Sequence, residues 1–184
     1  MKNTTTILTI AILTILGFNT LFAQYSEGFE NTFYPTGWNG KGFTKTNAKK
    51  KSGSYSAISA QNNSNSSDNY MVIDNVATSS SATLSFSYIA HNGNKNTRIS
   101  VFVKNSSVSK GDSVLISTLT PSKTSWKTAN IELPEAYENT ENTRIYFVIN
   151  NIGNSGNDKV YIDEVNSSFP MPVEMKSFTF NVNA

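Results

Sequence analysis

Ala82-Thr83-Leu84-Ser85-Phe86-Ser87-Tyr88-Ile89-Ala90 alternates hydroxyl and apolar side chains from Thr83 to Tyr88. That two-residue period belongs to a strand with one face on a core and the other in water. Leu84, Phe86 and Tyr88 share one face; Thr83, Ser85 and Ser87 share the other. The same pattern recurs in Thr97–Lys104 through Ile99, Val101 and Val103, in residues 143–150 through Ile145, Phe147 and Ile149, and in residues 159–165. Shorter strands are expected at residues 55–60, 70–74, 113–117 and 126–133, and at Phe29 with its neighbours. Between these runs lie Asn62-Asn63-Ser64-Asn65-Ser66-Ser67-Asp68, His91-Asn92-Gly93-Asn94, Lys110-Gly111-Asp112 and Gly153-Asn154-Ser155-Gly156-Asn157, all turn chemistry.

No stretch after residue 24 sustains the apolar stripe of an amphipathic helix. The expected fold class is therefore all-β. Roughly nine strands with several long connections suit a two-sheet antiparallel jelly-roll sandwich better than a tight up-and-down barrel. Its core should draw on Leu84, Phe86, Tyr88, Ile99, Val101, Val103, Ile131, Ile145, Phe147, Ile149 and Ile162.

The N-terminus has another character. Lys2 precedes a nearly uncharged apolar run, residues 7–22, and Leu21-Phe22-Ala23 places a small residue before Gln24. Residues 1–23 therefore read as a cleavable signal peptide helix. A retained membrane anchor is the rival reading, disfavoured because Thr9, Thr14 and Asn19 interrupt a segment that barely reaches the ~20 residues of a spanning helix. The chain of 184 residues contains no cysteine, which excludes both a disulfide framework and a lipid-modified cysteine. Charged residues are only 15% and the formal net charge is +2. So small an excess argues against nucleic acid as a partner, and the expected location is secreted or extracellular, with surface attachment an open alternative.

The domain is expected to occupy residues 24–168, followed by a proline-containing exit and extra strand at 169–184. Pro170 and Pro172 cannot donate to a ladder, whereas residues 176–182 alternate again through Phe178 and Phe180. A lone strand is unstable by itself. That segment is expected to dock on the sandwich, pair with another domain or chain, or open a further module.

The order of motifs carries a resemblance. Gly28-Phe29-Glu30, Pro35-Thr36-Gly37-Trp38, Ser52-Gly53-Ser54-Tyr55-Ser56-Ala57, the 82–88 strand, Trp126 with Ile131-Glu132-Leu133, Arg144-Ile145-Tyr146-Phe147 and Val160-Tyr161-Ile162-Asp163-Glu164-Val165 follow one another. In that order they resemble the cleaved-adhesin or choice-of-anchor J family, related to MAM and concanavalin-A-like domains. The resemblance implies a jelly-roll module of secreted or cell-surface bacterial proteins, serving adhesion or carbohydrate binding and often holding a structural calcium ion. Residues 171–178 resemble the Pro-Val-Glu-type junction that precedes a type IX sorting module in such proteins. The sequence stops there, so the reading is either a truncated chain or export by another route.

Calcium (Ca2+) takes six to eight hard oxygens. The first and last strands of jelly rolls commonly lie together, which would bring Glu27 and Glu30 near Asp163 and Glu164. The loop ending at Asp158 could complete a site, so Glu30, Asp158 and Asp163 are the candidate ligands. The plainer alternative is that the glutamates are solvated strand charges and Asp163 is structural. No Asp-x-Asp-x-Asp-Gly loop is present.

Carbohydrate modules stack sugar rings on exposed aromatics. Tyr34, Trp38, Tyr70, Trp126 and Tyr137 lie off the core faces, and Trp38, Trp126 and Tyr70 are the candidate ligand-binding residues. For both tryptophans buried packing is the competing use. Catalysis finds little in the residues: His91 is the only histidine and sits at a turn as an expected exposed spacer, and nucleophile elbows, phosphate loops and zinc pairs are missing. The expected function is a non-catalytic binding or adhesion module for a glycan or cell-surface ligand. The alternatives are a structural spacer of a larger secreted protein and a two-carboxylate glycosidase.

Overall fold

The structure, a computed structural model, describes residues 25–60, 69–91, 97–151 and 159–170. The signal peptide, the 62–68 loop, Asp158 and the 176–182 strand expected above lie outside the described residues. Within them the chain forms β1 (Tyr25–Glu27), β2 (Trp38–Lys41), β3 (Phe43–Thr46), β4 (Ser56–Ser59), β5 (Asn69–Val76), β6 (Thr83–Ala90), β7 (Thr97–Lys104), β8 (Ser113–Leu119), β9 (Lys127–Glu132), β10 (Thr143–Asn151) and β11 (Val160–Ser167). A 3-10 turn at Glu135–Tyr137 precedes β10.

All pairings are antiparallel. One sheet has five strands in the order β2-β5-β10-β7-β8; the other has six, β3-β4-β11-β6-β9, with β1 also paired to β11. The two pack as the jelly-roll sandwich that the alternating pattern requires. Every core residue expected from periodicity is buried. Across the interior the Phe86 ring meets Phe147 edge-on, centroids 5.0 Å apart at 88°, and Trp38 lies parallel to Phe147 at 6.1 Å. Phe29 closes the cluster at 5.9 Å from Trp38. Removing one such ring leaves a void and costs roughly 3–5 kcal/mol.

Two short strands escape the periodic reading. β2 and β3 are one extended segment broken only by Gly42, and they belong to different sheets. Gly42 has φ +73°, and a Cβ there would lie 1.8 Å from Asn69 Oδ1. The same Asn69 donates from Nδ2 to Ala60 O at 2.9 Å, so the crossing is held from both sides. Phe29 is not in a strand: it turns at φ 59° into the core, and the first strand lies upstream at Tyr25–Glu27.

β11 is the axis of the six-stranded sheet. One side pairs with β6; the other pairs with β4 at Tyr161 and Ile162, then with β1 at residues 165–167. The register shifts between Asp163 and Asn166, where Glu164 adopts φ 50°. The bulge re-aims the strand and leaves Asp163 fully buried.

Gly42→Ala should lower the melting temperature by the equivalent of about 1–3 kcal/mol from backbone strain alone. Adding Asn69→Ala should relieve the clash but not the strain. Thermal denaturation of both variants checks this, and an unchanged single variant would show that the crossing does not need glycine.

Candidate functional site

The outer face of the five-stranded sheet is built from the residues that alternate with the core. On β5 these are Tyr70, Val72 and Asp74, on β10 Arg144, Tyr146 and Val148, on β7 Ser100, Phe102 and Lys104, and on β2 Asn39 and Lys41. Register sets Tyr146 beside Val72 on one side and beside Phe102 on the other, with Leu115 of β8 next in the row. Lys41 and Val148 flank Tyr70 in the neighbouring row.

A trough of ≈ 520 Å³ runs over this face, with Tyr70, Val72, Tyr146 and Val148 as its floor and Asn39, Asp74 and Arg144 at one end. A second hollow of ≈ 320 Å³ continues it past Asp74 and Arg144 to Lys104, Asn105, Ser106 and Asn142. The Arg144 Nε donates to Asp74 Oδ1 at 2.6 Å, and Asn39 Nδ2 donates to Asp74 Oδ2 at 3.3 Å. Asp74 first, and Tyr146 after it, push the Arg144 guanidinium further up from its already high value. With the two side chains 49% and 31% exposed, the pair contributes at most about 1 kcal/mol of stability. It instead holds a planar donor fork in place beside an aromatic floor.

The carboxylates of the opposite sheet are engaged otherwise. Asp163 Oδ2 accepts from Lys51 N at 2.7 Å and Ser52 N at 3.2 Å, and Oδ1 accepts from Glu164 N at 2.8 Å. Burial pushes its pKa above the usual carboxylate value against the pull of these donors. Glu30 Oε1 accepts from Ser54 N at 2.9 Å and Tyr55 N at 3.0 Å, which holds its pKa below the ordinary 4.5. Gly53, at φ +55°, leaves room for that carboxylate, because a Cβ there would lie 2.3 Å from Oε1. Glu27 caps the Phe29 N–H and accepts from the Tyr25 hydroxyl.

β1 and β11 do lie side by side, yet Glu30 and Asp163 pin the two ends of the 51–55 loop through its N–H groups. Among the described residues no three Asp, Glu or His side chains gather to hold a metal. Asp158, the third candidate ligand, lies outside the described residues.

The aromatics expected to meet ligand separate. Tyr70 lines the trough. Trp38 is 6% exposed and stacked in the core. Its plane is therefore covered by protein. Trp126, half-buried, precedes β9 at the edge of the other sheet. Tyr146, Arg144, Asp74 and Phe102 were not singled out from sequence. The available signal was an aromatic at the outward position between Ile145 and Phe147. His91 is no exposed spacer: it is half-buried, and its Nδ1 shares a 2.6 Å hydrogen bond with the hydroxyl of buried Tyr161. Burial first, then Lys49 and Lys159, lower its pKa.

The architecture defines a jelly-roll sandwich that displays an aromatic and polar trough on one sheet. Residues 32–170 match the family model described as MAM domain, meprin/A5/mu, and the chain belongs to that family. Among solved structures, the K2 cleaved adhesin domain of Lys-gingipain is similar at 14% identity and TM-score 0.56, over 80% of this chain and 100% of that one. The K1 domain of the same protein, from Porphyromonas gingivalis W83, is similar at 14% identity and TM-score 0.56, covering 79% and 98%. The CBM22-1 xylan-binding domain of Paenibacillus barcinonensis Xyn10C aligns at 15% identity and TM-score 0.57, covering 78% and 91%. At these identities the likeness establishes a shared fold. No curated protein sequence matches the chain. Among the described residues no helix is long and apolar enough to cross a membrane.

Because the folded-state pKa of Glu30 is depressed, its contribution is fully present above the unfolded value and lost as pH falls through the lowered folded one. The acid limb of a melting-temperature profile should therefore be shallower in Glu30→Gln than in the parent, with the difference confined to pH below the ordinary 4.5. Parallel profiles would show that the clip on Ser54 and Tyr55 carries no stability.

Proposed function

We propose that the chain is a non-catalytic extracellular binding module that takes a carbohydrate chain along the outer face of its five-stranded sheet. The observation carrying this reading is the trough itself. Tyr70 and Tyr146 provide half-exposed aromatic surface in its floor, and Asn39, Asp74 and Arg144 present hydrogen-bonding groups at one end. Apolar sugar faces pack on such rings while flanking amides and charges hold hydroxyls. Support comes from structural neighbours described as a xylan-binding domain and as a family 22 carbohydrate-binding module whose cleft residues act in ligand binding.

Two-carboxylate hydrolysis needs a second acid about 5–9.5 Å from the first. Among the residues lining the trough Asp74 is the only acid, and it is already bound to Arg144 and Asn39. An adhesin of the cleaved-adhesin or choice-of-anchor J type, carried outside the cell by the 1–23 leader, is the setting we assign to this module.

Titration calorimetry with xylohexaose and with hexagalacturonate tests the reading. Tyr146→Ala should weaken whichever ligand binds by about tenfold, the equivalent of about 1.4 kcal/mol. Loss of affinity in Trp126→Ala with Tyr146→Ala silent would move the site to the other sheet. Calcium belongs to the proposal only if Glu30 and Asp163 exchange N–H partners for the ion. Melting after chelation and then calcium addition decides, since an ion held by the native state raises stability; no rise leaves both acids as loop clips.

A further inference from the structure

The near-zero net charge conceals a division between the two sheets. In the strands of the five-stranded sheet, Lys41, Arg98, Lys104 and Arg144 face the single carboxylate of Asp74, an excess of three positive charges. In the six-stranded sheet, Lys45 and Lys127 are outnumbered by Glu27, Glu132, Asp163 and Glu164, an excess of two negative charges. Two of those acids, Asp163 and Glu27, accept backbone N–H donors. The basic residues are where the trough is. Lys41 stands beside Tyr70 at one end of the aromatic floor. Lys104 lines the far hollow next to Arg144. The only ion pair among the described residues is the Arg144–Asp74 bridge, so neither lysine is neutralised by a described carboxylate. Glu141, the acid adjacent in sequence to the far hollow, is not among its lining residues.

Resting on the glycan reading above, we propose that the ligand is an acidic polysaccharide carrying uronate carboxylates, with its sugar faces on Tyr70 and Tyr146 and its carboxylates toward Lys41 at one end and Arg144 and Lys104 at the other. The spacing follows from the strands. Tyr70 and Asp74 are four residues apart on β5, about 13 Å at 3.3 Å per residue, and the hollow beyond Asp74 extends the track to Lys104. A track with cations at both ends and aromatic surface between suits an extended chain with charge on separated units. A compact anion would engage one end alone. Arg144 meets Asp74 through its Nε, and a guanidinium carries five N–H donors in a planar fork that matches carboxylates. Nucleic acid is the competing polyanion. The trough has two tyrosines flanked by Val72 and Val148 in place of a run of stacking aromatics, and cations at its ends in place of a continuous basic stripe.

The test compares the full chain binding xylohexaose, hexagalacturonate and a single-stranded oligothymidylate of equal charge, at about 0.05 M and about 0.5 M salt, where screening lengths differ severalfold. Hexagalacturonate should bind at least about tenfold tighter than xylohexaose at low salt, and the ratio should fall toward one at high salt. The Lys41→Gln, Lys104→Gln double variant should lose that ratio while keeping its fold, as shown by an unchanged melting curve. Equal or tighter binding of xylohexaose, insensitive to salt, overturns the acidic ligand and leaves the glycan reading standing. Tighter binding of the oligothymidylate than of the uronate overturns it in favour of nucleic acid. Binding of none of the three overturns the glycan reading as well.

Discussion

Each sheet of this protein turns one face to a shared apolar core, and a chain without cysteine has no covalent means of holding those faces together. The packing of Phe86 from the six-stranded sheet against Phe147 from the five-stranded one is therefore the contact on which the rest depends. It sets the distance between the layers, and Trp38 and Phe29 fill the end of the interior around it. Because β10 must point Ile145, Phe147 and Ile149 inward, it has no choice but to point Arg144, Tyr146 and Val148 outward. The trough is thus a consequence of the core: the same alternation that buries one set of side chains aligns the other across neighbouring strands.

The long strands were legible because a period of two survives over eight or nine residues. β6, β7 and β10 were found nearly to the residue, and each residue expected in their core is buried. β2 and β3 were not, for a physical reason. Trp38-Asn39-Gly40-Lys41 and Phe43-Thr44-Lys45-Thr46 are too short to show a period, and what makes them strands is the partner chain on each side of Gly42. Phe29 read as a strand residue because it is apolar beside acids; its positive φ, a tertiary property, is invisible in composition.

The site divided along the same line. Tyr70 was visible as an aromatic at a strand boundary. Trp38 attracts attention by residue type, yet its neighbours Phe29 and Phe147 come from distant positions and cover it. Tyr146 needed the register of β10 against β5 and β7 before it became part of a row with Val72 and Phe102. The acids show the same dependence on the fold. Glu30 and Asp163 look like hard-cation ligands in a sequence, where only their charge is seen. In the fold they meet the N–H groups of one loop, and an N–H donor uses the same oxygen lone pairs that a cation would.

Charge partition is the property that neither composition nor motif exposes. A net charge of +2 excludes a strongly basic protein, but it is silent on where individual charges reside. Acids that clip loops are spent on the fold, whereas neither Lys41 nor Lys104 is in an ion pair among the described residues. The floor of the trough is carried on the paired strands β5 and β10, so an incoming chain would meet its aromatic surface on hydrogen-bonded backbone. Cations fixed at the two ends of one track favour ligands whose charges recur along an extended backbone, and they offer little to a neutral chain beyond what the tyrosines already supply.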